Sequence, residues 1–227
     1  MRNKLLCITA AVVLAISAAT GQAAVTTIST LDVSGSLRWV GNAMGAVATV
    51  GQTIAVPYGY GSLDSWSFWV QGAPWMDPVY GDIMFEAYVM AWDGTMATGP
   101  VLWQSGVRET DGTGNLEQFT FDTGGLALIP GQQYVLFISS SDYIDLFEGF
   151  GQPAGGETAY ALGQFVFMDN GSDFSLLTAS PWDRYEADLA FVASFSGDGH
   201  TPSPGAVLLA AFGSGLVAWL RRRKMLT

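Results

Sequence analysis

The chain has 227 residues, 49% hydrophobic and 13% aromatic, with nine Lys and Arg against twenty Asp and Glu and a formal charge of −11. A surface of that sign repels phosphate and excludes a nucleic-acid partner. Its one cysteine, Cys7, leaves no internal disulfide and no thiolate metal site.

The chain opens with Met1-Arg2-Asn3-Lys4, continues in an apolar run from Leu5 to Ala19 and reaches Gly21-Gln22-Ala23. A basic start, a short apolar stretch and small residues before a cut near Ala23 are the pattern of a secretory signal peptide, expected over residues 1–23. That expectation makes the secretion machinery the first partner.

Between residues 24 and 200 lie three arginines, Arg38, Arg108 and Arg184, against all twenty acids, a formal charge of −17 with no lysine. About 177 residues suffice for one sizeable core. Runs of β-branched and aromatic residues, separated by Gly, Pro, Asp and Asn, predict strands at Thr53 to Val56, Leu63 to Val70, Phe85 to Trp92, Val101 to Gln104, Gln118 to Phe121, Tyr134 to Ser139, Ala159 to Met168 and Asp188 to Phe195. Period-2 alternation places Phe85, Ala87, Val89 and Ala91 on one face and Glu86, Tyr88, Met90 and Trp92 on the other. In the last strand the inward set is Leu189, Phe191, Ala193 and Phe195. Turns are expected at Asp93-Gly94, at Phe121 to Gly125 and at Pro130-Gly131, and long loops at Gln71 to Asp82 and Asp142 to Glu157. With no helical period inside this region, the fold class is all-β, a single antiparallel, jelly-roll-like β-sandwich flanked by an N-terminal signal helix and a C-terminal transmembrane helix.

Ser196 to Gly205 reads as a polar linker, containing Pro202-Ser203-Pro204. An apolar stretch at 206–220 follows, then Arg221, Arg222, Arg223 and Lys224. As a helix it spans roughly 22 Å, against roughly 30 Å of hydrocarbon, so it is a marginal span that snorkelling arginines extend. The basic cluster predicts a cytoplasmic chain end, with residues 24 to 200 on the outer side.

A proline-bearing motif, an apolar helix, an arginine cluster and the chain end, in that order over residues 201–227, resemble the PEP-CTERM sorting tail of exported bacterial proteins. The resemblance implies a sorting motif of Pro202, Ser203, Pro204, Arg221, Arg222 and Arg223, recognised by the membrane protease-transpeptidase exosortase. Pro202-Ser203-Pro204 stands where that family has Pro-Glu-Pro. The resemblance further implies a membrane-anchored precursor that passes to the cell surface or outside the cell. A second resemblance spans residues 50 to 140, from Gln52-Thr53-Ile54-Ala55-Val56-Pro57 through Tyr88 to Thr95 and on to Gly131-Gln132-Gln133-Tyr134. It looks like a domain found in exported bacterial proteins, similar in outline to jelly-roll and carbohydrate-binding sandwiches.

The residue chemistry gives catalysis little support. A serine triad or a zinc site needs histidines, and the one histidine, His200, falls in the linker. Glu86 and Glu117 are the carboxylates best placed for glycoside hydrolysis, although alternation also puts them on a solvent face. No cofactor is expected, with calcium as the alternative. Asp169, Asn170 and Asp173 place oxygens around Gly171, and Asp142, Asp145 and Glu148 recur every three residues. Of the tryptophans Trp66, Trp69, Trp75, Trp92, Trp103 and Trp182, most are expected in the core. Trp75 and Trp182, beside prolines, are the candidates for exposed glycan platforms. The leading reading is a non-catalytic surface or extracellular-matrix module. A carbohydrate-binding module for exopolysaccharide, supported by calcium, comes second and a glycan hydrolase third.

Overall fold

The computed structural model describes residues 24–31, 35, 37–41, 46–72, 82–144, 149–157 and 160–197. The signal segment, His200, the sorting tail, Trp75, Asp145 and Glu148 lie outside the described residues. Among the described residues fifteen strands follow one another: β1 (Val25–Ser29), β2 (Val40–Gly41), β3 (Thr49–Ala55), β4 (Ser62–Gly72), β5 (Met84–Trp92), β6 (Ala97–Gln104), β7 (Arg108–Glu109), β8 (Leu116–Ala127), β9 (Gln133–Ser139), β10 (Phe150–Pro153), β11 (Gly155–Glu157), β12 (Phe165–Met168), β13 (Asp183–Arg184), β14 (Ala187–Leu189) and β15 (Phe191–Ser196). The one described helical element is a 3₁₀ turn, Phe174–Thr178.

These strands form a β-sandwich of two antiparallel sheets, with β11 and β14 as a small separate pair. In the first sheet β4 is central. β8 runs along one of its edges, β15 and then β10 along the other, with β1 outside β15 and β2 outside β10. The second sheet has the order β13-β12-β3-β9-β5-β6, with β7 completing the edge beside β5.

Alternation along the strands fills the space between the sheets. Phe85, Ala87 and Val89 of β5 meet Leu63, Trp66, Phe68 and Val70 of β4, and Leu189, Phe191, Ala193 and Phe195 point into the same core. Phe68 packs edge-on to Phe85 at 5.8 Å and parallel to Phe121 at 5.7 Å. Aromatic pairs of this kind add about 0.5–1.5 kcal/mol each beyond the burial of area. Trp66 and Trp69, three apart in one strand, point to opposite faces, Trp66 into the core.

The other face of the second sheet is not left to solvent. Tyr88, Met90, Trp92, Val135, Phe137 and Val166 make a second apolar cluster there, closed by Leu177 and Trp182 from the excursion between β12 and β13. This explains the unbroken apolar run Tyr134-Val135-Leu136-Phe137-Ile138 in β9. A strand covered on both faces has no polar side to show. Gly51 lies under the Phe137 side chain, where an added Cβ would come within 2.6 Å of the Phe137 Cβ.

Four expectations are corrected, the first being the single strand expected from Asp188 to Phe195, which breaks at Ala190 into β14 and β15. The run expected as one strand from Ala159 to Met168 is a strand only over Phe165–Met168. Before it the chain turns, the Gly163 N–H bonding the Tyr160 carbonyl at 3.3 Å, and the Tyr160 hydroxyl takes a bond from the Ala55 N–H at the end of β3. The expected turn at Phe121 to Gly125 is a bulge inside β8, because the Thr123 hydroxyl bonds back to the Leu63 and Asp64 carbonyls and holds the strand against β4. The expected loop from Asp142 to Glu157 contains β10 and β11. The turns at Asp93-Gly94 and Pro130-Gly131 stand where the sequence puts them, with positive φ at Gly94 and Gly131.

Candidate functional site

Trp182 is not an exposed platform. It is 6% exposed, its indole N–H donates to the Leu177 carbonyl at 2.9 Å, and its ring meets Trp92 and Phe137 edge to face at 5.5 and 5.3 Å. Proline at 181 ends the preceding 3₁₀ turn, but the large apolar area of the indole drives it onto the open face of the second sheet.

The Asp169 to Asp173 turn is built as framework. Asn170 is 3% exposed, its Oδ1 accepting from the Thr49 hydroxyl at 2.8 Å while its Nδ2 donates to the Ser141 hydroxyl and the Asp173 carbonyl at 2.6 and 3.1 Å. Asp173 caps the 3₁₀ turn, its Oδ1 accepting from the Ser175 N–H at 2.9 Å and the Ser175 hydroxyl at 2.6 Å. Asp169 is exposed beside them. The Asn170 amide is thus held at both ends inside the fold, and of the three residues of the expected calcium loop Asp169 is the one with no framework bond among the described residues. Among the described residues no group of three or more acids or histidines gathers as a metal site.

Glu86 lies on β5 and Glu117 on β8. Glu86 accepts from the Tyr88 and Tyr143 hydroxyls at 2.8 and 2.9 Å and from the Gln104 amide. Burial, and then the bond to Glu86, push the Tyr88 hydroxyl well above the usual phenol range and that of Tyr143 up to about 12. Glu117 accepts from the Asp111 N–H at 2.9 Å, and its carboxyl is raised mainly by burial. Asp188, which sequence reasoning treated only as the start of a strand, is fully buried. Its carboxylate accepts from the Gln52 amide and the Tyr160 N–H, each at 2.7 Å.

A cleft opens on the second sheet's outer side. Trp92 and the Gly94–Thr95 turn form one wall, Pro181 and Trp182 the other. Val166 and Arg184, register partners in β12 and β13, complete it. Its volume is about 160 Å³. The Trp182 backbone N–H donates to the Thr95 carbonyl at 2.9 Å and ties the walls together. Asp93 fixes the turn, its Oδ1 accepting from the Thr95 N–H, the Thr95 hydroxyl and the Met96 N–H at 2.7 to 2.9 Å. Those bonds hold the Asp93 carboxyl below its ordinary value. The sequence showed an Asp-Gly turn and a Pro-Trp pair, but not that the two meet.

No protein-family model matches the chain, and comparison with curated proteins gives no match. Among the solved structures that resemble it are two of one protein. One contains the cysteine protease and lectin-like domains of Cwp84, a surface layer associated protein of Clostridium difficile, at 11% identity and TM-score 0.41, covering 66% of this chain and 32% of that one. The other is the clostridial cysteine protease Cwp84 after propeptide cleavage, at 10% identity and TM-score 0.45, covering 77% of this chain and 40% of that one.

Proposed function

We propose that the chain is an exported envelope protein, a jelly-roll-like module delivered to the cell surface or extracellular matrix, that acts by structure and interaction and not by catalysis. The observation that carries this reading is the use made of its polar side chains. Glu86, Asp173 and Asp188 are each engaged in hydrogen bonds that fix strands and turns, the role of framework acids. The signal-like start and the Pro202-Ser203-Pro204, apolar and arginine-rich end supply the route: secretion, transient anchoring with residues 24 to 200 outside, and processing by an exosortase-type enzyme. The test follows an internally tagged full chain by fractionation and intact mass in two Gram-negative hosts, one with an exosortase and one without. Loss of the tail and release to the surface only in the first is the expected result. An intact tail in both overturns the processing step.

Carbohydrate binding is the second reading, favoured by the cleft beside Trp92 and Trp182. Its lining residues are the nearly buried Trp92 and Trp182, Pro181, the Gly94–Thr95 turn and Arg184, a mixture of apolar and polar groups of the kind that small-molecule sites use. An exopolysaccharide is then the partner.

A further inference from the structure

We propose that the cleft bounded by Trp92, the Gly94–Thr95 turn, Trp182 and Arg184 binds a single carboxylated sugar ring, a uronic-acid unit of an acidic polysaccharide. This deepens the carbohydrate-binding reading and rests on it.

The charge distribution points to an anion. Among the described residues the cations are three arginines; two lie over aromatic rings, and the Nε of Arg38 is buried without a hydrogen-bond partner. Arg38 lies 5.4 Å over the Phe167 ring, and Arg108 lies over Phe121 and donates to the Val107 carbonyl. Arg184 is exposed, has no side-chain hydrogen bond or ion pair among the described residues, and lines the cleft. A guanidinium presents paired N–H donors in one plane, the fork that a carboxylate accepts two at a time.

The walls point to a ring and not to a bare ion. The exposed Pro181 and the edges of the Trp92 and Trp182 indoles, 8% and 6% exposed, leave a narrow apolar strip that contributes nothing to holding an inorganic anion, whereas one edge of a pyranose needs such a strip beside it. At about 160 Å³ the cleft is smaller than the roughly 300–1,000 Å³ of drug-sized sites, and suits one ring better than an extended chain. Charge also separates the candidates. Among residues 24 to 200, at a formal −17, a singly charged carboxylate meets less repulsion than a doubly charged phosphate.

The site is preformed. Gly94 has φ of 104° and nothing within 4 Å of where a Cβ would stand, so the cleft is open above the turn. The Asp93 bonds and the link from the Trp182 backbone N–H to the Thr95 carbonyl fix both walls before any ligand arrives, which leaves the Arg184 side chain as the group that binding must order.

The test uses the full chain in mild detergent, with titration calorimetry and saturation-transfer NMR. The probes are glucuronate, a glucuronate oligosaccharide, glucose, acetate and inorganic phosphate. Saturable binding of glucuronate, at least tenfold tighter than that of glucose, is expected. Arg184→Gln, at an exposed position, should weaken it at least tenfold, and Arg184→Lys should recover part of the loss. Raising the salt should weaken binding in the wild type more than in Arg184→Gln. Glucuronate binding unchanged in Arg184→Gln overturns this site while leaving carbohydrate binding in place. Acetate or phosphate binding as tightly as glucuronate overturns the sugar assignment. No binding of any saccharide, charged or neutral, overturns both this site and the reading on which it rests.

Discussion

Glu86 takes hydrogen bonds from two tyrosine hydroxyls and an amide, and the consequence is visible in alkali. The Tyr143 hydroxyl, raised from its ordinary 10.0 to about 12 by burial and Glu86, keeps its proton in the folded chain at a pH where the unfolded chain has released it. The unfolded state then binds fewer protons, so stability falls as pH rises. The contribution is complete below pH 10 and is lost progressively toward pH 12 and above, Tyr88 acting in the same direction. Urea midpoints between pH 9 and 12 should therefore fall more steeply in the wild type than in Tyr143→Phe, and parallel curves would refute the coupling. Asn170 gives a second test at this scale. Asn170→Ala leaves the Thr49 and Ser141 hydroxyls short of a buried partner and should cost roughly 1–3 kcal/mol in urea denaturation. A neutral outcome would mean that water replaces the amide without loss.

The second sheet carries apolar side chains on both faces, and its outer cluster depends on the excursion that holds the Phe174–Thr178 turn and Trp182. Leu177 is fully buried there, so Leu177→Ala should cost about 2–5 kcal/mol. Hydrogen exchange should rise first in residues 165–184 while the core strand β4 stays protected, and uniform loss of protection would show that the excursion is not a separate cover. Gly51→Ala tests the same face from beneath. An added methyl drives against the Phe137 Cβ and the Leu136 carbonyl, with an expected cost of about 1–3 kcal/mol. At this scale the sequence was most readable where one period ruled. β5 and the set Phe191, Ala193 and Phe195 in β15 follow simple alternation, whereas the residues from Ala187 to Ala190 are buried without a period. It was least readable where a side chain from a distant segment did the work. Tyr160 bonds the end of β3 with its hydroxyl, and the residues from Tyr160 to Gln164, which hold Gly163 and one strand former, turn before β12 begins. Thr123 converts a Gly-Gly signal into a bulge by bonding across to β4. Trp182 reads as a loop residue until the uncovered face of the second sheet is known, and the cleft beside it follows only from that packing.

Charge acts at the scale of the whole molecule. Residues 24 to 200 hold twenty acids and three arginines, so the folded chain concentrates like charges that the unfolded chain spreads apart. Self-repulsion of this kind opposes the compact state. Because the Debye length shrinks from about 30 Å at 0.01 M to about 10 Å at 0.1 M, screening relieves it across the distances between strands of one sandwich. The thermal midpoint of the full chain in mild detergent should therefore rise as sodium chloride goes from 0.01 to 0.5 M. Potassium chloride should reproduce the rise, since screening depends on ionic strength and not on the identity of the cation. Magnesium and calcium at matched ionic strength should differ little, because Asn170 and one carboxylate oxygen of Asp173 are already engaged within the fold. A midpoint that stays flat or falls with sodium chloride would mean that the acids are spaced widely enough not to sense one another. An excess specific to calcium that persists in Asn170→Ala would place a cation site elsewhere than the 169–173 turn.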